Sequence, residues 1–253
     1  MRIAVAGGTG TVGRYVVDAA RLQGHEVTIL SRATGTDLAA GTGLIEALRG
    51  TEAVIDVTSI STQSGTVSEK FFGAVTHHLL EAERVAGVGH HLSLSIVGSD
   101  RAPFGYYAGK AVQEQLVSTG SIPWTILRAA QFHEFAAQIY KQITLGPVSL
   151  VPTMISQPVA AREVGRHLVE LAEHGPSGRP ADLAGPEVLR MADMVRSYAR
   201  AVGGRGPIWE VPLPGGFGRA LRDGTVTAGP GAMLGTQTFS DWIAEISTRE
   251  DPA

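Results

Sequence analysis

Cysteine is absent from the 253 residues. That excludes disulfides, iron–sulfur ligation and thiolate nucleophiles, and it fits a reducing compartment. A basic surplus is missing too: 21 Lys and Arg stand against 24 Asp and Glu, for a formal net charge of −3. Neutralising several phosphates requires a basic patch, so nucleic acid is not expected as a partner. Long apolar runs are also lacking. The first one is broken by glycine within a few residues, and no stretch reaches the length of a membrane span. The expectation is a soluble, cytoplasmic protein without membrane contact, long enough to bury a sizeable core without staples.

What is present begins at the first residues, MRIAVAGGTGTVG. A short apolar strand, Ile3 to Ala6, runs into Gly7, Gly8, Thr9, Gly10, Thr11, Val12 and Gly13. This spacing satisfies both G-x-G-x-x-G and G-x-x-G-x-x-G. Glycines there allow a sharp turn, let a dinucleotide pyrophosphate approach the backbone, and place its charge at the N-terminus of the next helix. The amphipathic stretch Thr11 to Gln23, with Gly24 as its cap, supplies that helix. A second strand, His25 to Leu30, ends in Ser31-Arg32, where a site for NAD places a carboxylate. A guanidinium there pairs with a 2′-phosphate instead, so NADP is expected, with NAD possible if Asp37 reaches back to the ribose.

Further along, the pattern alternates between strand and helix. A compact helix is expected at Leu44 to Leu48 and a strand at Ala53 to Ser59, buried on both faces and opening at its polar end into a ligand crevice. A helix then covers Val67 to Val85, with Phe71, Ala74, Val75, Leu79 and Leu80 as core candidates. A strand follows at His91 to Val97, a helix at about Tyr107 to Ser118, and a strand at Trp124 to Arg128. This order predicts a Rossmann-type doubly wound parallel sheet over residues 1–150. Prolines break up the remainder, 151–253, into a smaller C-terminal α+β substrate lobe with helices near Ala161 to Ala172 and Met191 to Ala201. Ten glycines and four prolines between Gly203 and Gly235 predict a long irregular stretch, a candidate lid, with one helix near Phe217 to Arg222.

A second constellation lies in GYYAGK. Tyr106 and Lys110 are four apart, on one face of a helix. With five tyrosines and three lysines in the chain, chance alone yields roughly 0.06 such pairs. A nearby ammonium lowers a phenol's pKa, and the pair can then deliver a proton to a carbonyl oxygen as hydride reaches carbon. The alternative is an exposed ion pair between Lys110 and Glu114. Ser93 and Ser95 share one strand face, from which one hydroxyl, Ser95 being preferred, polarises the same oxygen. The histidine pairs His77-His78 and His90-His91 are not read as metal ligands, since neighbouring residues point to different sides. His133 and Glu134 suit substrate contact or helix capping equally. Phe104, Phe132, Trp209 and Phe217 are candidates for an apolar wall.

The segments AGGTGTVGRYV, VIDVTS, LSIVGSDRAPFGYYAGKAVQEQLVSTGSIPWTILRAAQFHEF and LAGPEVLRMADMV resemble the short-chain dehydrogenase/reductase superfamily, in its atypical NmrA-like branch. The resemblance covers about 140 residues well and the rest loosely. It implies NAD(P)H on the Gly7 to Gly13 turn, with Lys110 holding the nicotinamide ribose; Thr58, at the polar end of the third strand, is a further cofactor candidate. It also implies substrate contacts from Gln131 and Phe132, and His133 next to them is the further substrate candidate. Two departures stand out: Arg128-Ala129-Ala130 replaces a common Arg-Pro, and Val57-Thr58-Ser59 replaces Asn-Ala-Gly. The branch includes reductases and NADP-sensing regulators, the latter often without the tyrosine. The expectation is therefore an NADPH-dependent reductase of a small, largely apolar carbonyl, quinone or conjugated compound, with Tyr106, Lys110 and Ser95 catalytic. A homodimer is compatible with the sequence. The alternatives are an NADP(H) sensor and, less favoured, a nucleotide-sugar epimerase or dehydratase, for whose diphosphate the second half offers no basic cluster.

Overall fold

A computed structural model describes residues 1–145 and 148–249. The chain begins β1 (Arg2–Ala6), α1 (Gly13–Leu22), β2 (Glu26–Leu30), α2 (Leu44–Ala47), β3 (Ala53–Asp56), α3 (Gly65–Ala86), β4 (His90–Ile96), α4 (Tyr106–Thr119) and β5 (Trp124–Ala129). It continues with α5 (Phe135–Ile143), β6 (Thr144–Leu145), β7 (Val148–Pro152), β8 (Ile155–Ser156), α6 (Ala161–His174), β9 (Leu183–Ala184), β10 (Leu189–Arg190) and α7 (Met191–Ala201). The last elements are β11 (Ile208–Val211), α8 (Gly215–Arg222), β12 (Met233–Leu234) and α9 (Phe239–Arg249). Among the described residues no helix is long and apolar enough to cross a membrane.

Among the described residues the main sheet has seven strands, in the order β12-β9-β5-β4-β3-β1-β2. The ladders of β1 with β2 and β3, of β3 with β4, and of β9 with β5 and β12 are all parallel. This is the Rossmann-type α/β fold expected from the alternating pattern. Strands β1 and β3 are buried on both faces, as their continuous apolar runs require. On one face, Ala4, Ala6 and Val54 pack with Leu44 of α2, Leu48 just after it, and Val75 and Leu79 of α3. Alternation turns Ile3, Val5 and Ile55 to the other.

Two compact units are formed: Met1–Arg128 with Arg162–Ala181, and Ala129–Ala161 with the chain from Asp182 onward. The expected division at residue 150 is therefore not where the chain divides. The first unit reclaims α6 because its Gly165 lies against α1, where a Cβ would stand 2.8 Å from the Tyr15 Cβ. The glycine- and proline-rich stretch also differs from its expected irregularity. It holds β11, α8 and β12, separated by Gly203, Gly215, Gly224 and Gly231 at positive φ. In the core of α3, Phe72 rather than Phe71 is fully buried.

Candidate functional site

The turn after β1 is shaped by steric necessity. Gly7 has φ +82°, and a Cβ there would stand 2.9 Å from Val57 O and 3.0 Å from Thr58 N. At Gly13 a Cβ would lie 2.0 Å from Gly7 O, while the Gly10 N–H donates to the same oxygen at 2.9 Å. The loop therefore closes on itself and on the end of β3. Val12, at the N-cap of α1, makes no side-chain capping bond, and the helix's first turn has no acidic residue. Such a helix start offers N–H groups and the positive end of the dipole to an anion. Thr9 and Gly10 are exposed and Thr11 half-buried, so this cradle is reachable.

Beyond β2, Ser31 caps a short 3-10 turn, Arg32–Thr34, and its N–H donates to Thr34 Oγ1 at 3.1 Å. Arg32 is exposed, and among the described residues no carboxylate pairs with it. Asp37, the alternative ribose ligand, accepts the N–H groups of Ala39 and Ala40 and stabilises its own turn.

The segment Val57–Ser59 links the cradle to the tyrosine. Val57 and Thr58 meet Gly7. The buried Thr58 Oγ1 has no partner among the described residues, and Ser59 Oγ lies 3.2 Å from the Tyr106 hydroxyl. Tyr106 opens α4 after Gly105, which has φ +54°. Burial pushes its phenol up to about 12, and the nearby Asp56 charge adds to this, while the Ser59 bond works in the opposite sense. The cradle, the orphaned Thr58 hydroxyl and the exposed Arg32 together fit a dinucleotide phosphate with a 2′-phosphate end. Glycines provide the approach, the helix start receives negative charge, and a buried donor awaits a partner.

Lys110 is buried deeper than expected. Its ammonium donates to Leu94 O at 2.9 Å, Gln113 Oε1 at 2.8 Å and, more weakly, Thr58 O at 3.4 Å. It also stands 4.1 Å from the centre of the Phe72 ring. That ring meets Tyr106 edge-on at 5.5 Å. The close approach of α3 and α4 depends on Gly109, where a Cβ would lie 2.2 Å from Ser68 Oγ. Burial lowers Lys110 to about 8, opposed by the charges of Asp56 and Glu114. One expectation is thereby corrected and one alternative set aside. Lys110 does not lower the Tyr106 pKa, since its donors are turned to carbonyls and an amide, and the exposed ion pair with Glu114 does not form, Lys110 being buried.

Ser95 is a second correction. Its hydroxyl donates to Glu114 Oε1 at 2.5 Å, so its proton is not aimed at a substrate oxygen. Ser93 lies 2.8 Å from His91 Nε2, and His91 Nδ1 lies 2.8 Å from the buried Glu83. Ser59, missed as a site residue, is the hydroxyl at the tyrosine. The signal for it was the polar end of VIDVTS, where a parallel strand opens into a crevice. Glu114 also accepts from Ser99, Arg128 and Arg179. These bonds hold its carboxyl down at about 2 against the cost of burial. A surface cleft of about 440 Å³ lies over this cluster, but its charges are paired to one another.

In the second unit, Gln131 accepts from Ser156 Oγ at 2.9 Å and donates to Val226 O at 3.4 Å. His133 is fully buried. Its Nε2 lies 3.3 Å from Gln237 O, and its ring packs with Phe239 and Trp242. Substrate contact from His133 is accordingly corrected to a core role, because a buried ring inside an aromatic cluster presents no surface. Phe132 stays half-buried, while Phe104 and Trp209 are exposed.

No family model matches the chain. A photosystem II assembly factor of Synechocystis sp., Ycf39, is 26% identical over 233 residues, spanning 84% of this chain and 71% of that protein. Among solved structures, MoeE5 in complex with UDP-glucuronic acid and NAD is similar with a TM-score of 0.74 at 15% identity, over 98% of this chain and 99% of that one. An NADPH-dependent quinone oxidoreductase of Escherichia coli, complexed with NADPH, is similar with a TM-score of 0.71 at 17% identity, over 96% and 99%. At these identities the likeness is one of fold, and it agrees with the resemblance carried by the sequence motifs.

Proposed function

We propose that the chain is an NADPH-dependent reductase of a small, largely apolar carbonyl, quinone or related conjugated compound. The carrying observation is the Val57–Ser59 segment, which touches the glycine cradle at one end and the Tyr106 hydroxyl at the other. Gly7 to Gly13 would hold the pyrophosphate, and Ser31 with Arg32 the 2′-phosphate. When bound, the reduced nicotinamide supplies hydride. Tyr106, kept neutral by its raised pKa, is the proton donor to the substrate oxygen, and Ser59 orients its hydroxyl. The similarity to an NADPH-dependent quinone oxidoreductase supports this reading.

A second reading, an NADP(H)-responsive binding protein, is favoured by one observation: the Lys110 donors are spent inside the protein. The relative that is an assembly factor points the same way. The purified chain is incubated with NADPH and a panel of quinones and carbonyls, beside Tyr106→Phe. Turnover that falls about 100-fold or more in the variant, at unchanged NADPH affinity, is expected. NADPH binding without turnover selects the second reading, and a variant as active as the parent removes Tyr106 from the chemistry. Parallel titrations of NADPH and NADH, repeated with Arg32→Asp, test the cofactor preference; tighter binding of NADH by the unmodified chain overturns it.

A further inference from the structure

We propose that Asp56 is a positioning residue for Lys110, acting on it through the side-chain amide of Gln113; this deepens the reductase reading, from which Lys110 takes its place beside the dinucleotide. Asp56 ends β3, and its carboxylate is fully buried. Among the described residues no basic side chain pairs with it directly. Its Oδ1 accepts the Thr58 N–H at 2.9 Å and its Oδ2 accepts Gln113 Nε2 at 2.8 Å. Gln113, equally buried, presents Oε1 to the Lys110 ammonium at 2.8 Å.

The orientation of that amide is dictated from both ends. A carboxylate only accepts and an ammonium only donates, so the NH2 group must face Asp56 and the carbonyl must face Lys110. The three side chains form a buried ion pair with one amide inserted. Each charge would be prohibitively exposed to the apolar interior without the other. The groups surrounding the ammonium are Asp56 on β3, Glu114 on α4, Tyr106 one turn earlier on the same helix, and the Phe72 ring on α3. The Leu94 and Thr58 carbonyls complete the shell. His91, beside Glu83, also senses the Asp56 charge. Asp56 therefore keeps Lys110 charged where burial works to neutralise it. The same carboxylate also fixes Thr58, whose carbonyl is a Lys110 acceptor and whose hydroxyl is the orphan near the cradle.

The scarcity of lysine makes the test direct. With ¹³C at the lysine ε-carbons, the full chain shows three signals, from Lys70, Lys110 and Lys141, and Lys110→Met assigns the one of interest. The Lys110 titration midpoint is expected to fall by about one pH unit or more in Asp56→Asn. It should also fall in Gln113→Leu, which leaves the carboxylate in place. Lys70 and Lys141 should be unmoved, and the weakening of NADPH binding with rising pH should move with Lys110. An unmoved Lys110 midpoint in either folded variant overturns the relay: in Asp56→Asn because the charge is then irrelevant, in Gln113→Leu because the action does not pass through the amide. If the unmodified chain binds no dinucleotide, the reductase reading falls, while the lysine titration still decides the relay.

Discussion

Helix α4 carries two polar clusters only three to four residues apart, and they are built on opposite principles. Around Glu114, one buried carboxylate beneath a surface cleft is saturated by two guanidiniums and two hydroxyls, and Asp100 takes up more of the Arg128 charge at 3.0 Å. Around Lys110, opposite charges are kept apart by an amide in the interior, a tyrosine is held neutral, and a threonine hydroxyl is left without a partner. The first arrangement gains from every contact it makes. The second carries an unspent donor and two buried charges, the kind of local compromise expected where a site must still bind something. The difference teaches that α4 is pinned by Glu114 so that Lys110 and Tyr106 can be held in a costly arrangement.

The largest effect should come from the pin. Glu114→Gln leaves Arg128 and Arg179 without their shared carboxylate, and breaking a buried, hydrogen-bonded pair costs about 3 kcal/mol or more. For a chain of this size that lowers Tm by roughly 6–12 °C, read by calorimetry. A Tm within about 1 °C of the parent would mean that the cluster is decoration and the comparison is wrong.

The two clusters should next separate on the pH axis. Glu114 sits at about 2 in the fold against an ordinary value of 4.5. Its contribution is then complete above pH 4.5 and is lost as pH falls toward 2, on the order of 2–3 kcal/mol. Lys110 sits at about 8 against 10.5. Above pH 8 the unfolded chain holds the proton that the folded chain has released, so stability from this group rises with pH. That rise is clearest up to about pH 10, since Tyr106, raised to about 12, then contributes in the opposite sense. Denaturant melts across pH should show the acid limb flattened in Glu114→Gln and the alkaline rise flattened in Lys110→Met. A Lys110→Met chain that loses the acid limb instead would show that the clusters act as one.

Sequence patterning revealed the first cluster poorly and the second in part, for physical reasons. Long, periodic elements such as α1, α3, α4 and β1 announce themselves, because one buried face repeats over several turns or residues. Two-residue strands such as β8, β9 and β12 carry too few positions for any alternation to show, and their glycines mark turns rather than disorder. Tyr106 and Lys110 stand out by spacing. Their electrostatic relation does not, because it depends on Asp56, 54 residues before Lys110 in sequence and brought near it only by β3 pairing with β4. Glu114 looked like the partner of Lys110 because both belong to one helix, yet Arg128 and Arg179 reach it from further along the chain. Ser95 and Ser59 differ in the same way: alternation placed Ser95 on a strand face, but only the fold shows which hydroxyl faces the phenol.

The smallest effect sharpens the comparison most. Ser59 is exposed and makes one long hydrogen bond, 3.2 Å, to the Tyr106 hydroxyl. Removing it in Ser59→Ala should leave stability within about 0.5 kcal/mol of the parent, as for a surface change away from any cap or core. Chemistry should respond more. The bond is the one influence drawing the phenol down from its buried value, and losing a single hydrogen bond of about 1 kcal/mol corresponds to roughly fivefold to tenfold in turnover. On the proposed reductase reading the loss appears in kcat rather than KM, since there the hydroxyl orients the proton donor and not the substrate. A stability loss comparable to that of Glu114→Gln, with turnover unchanged, would place Ser59 with the pin and leave the tyrosine without a partner in the reaction.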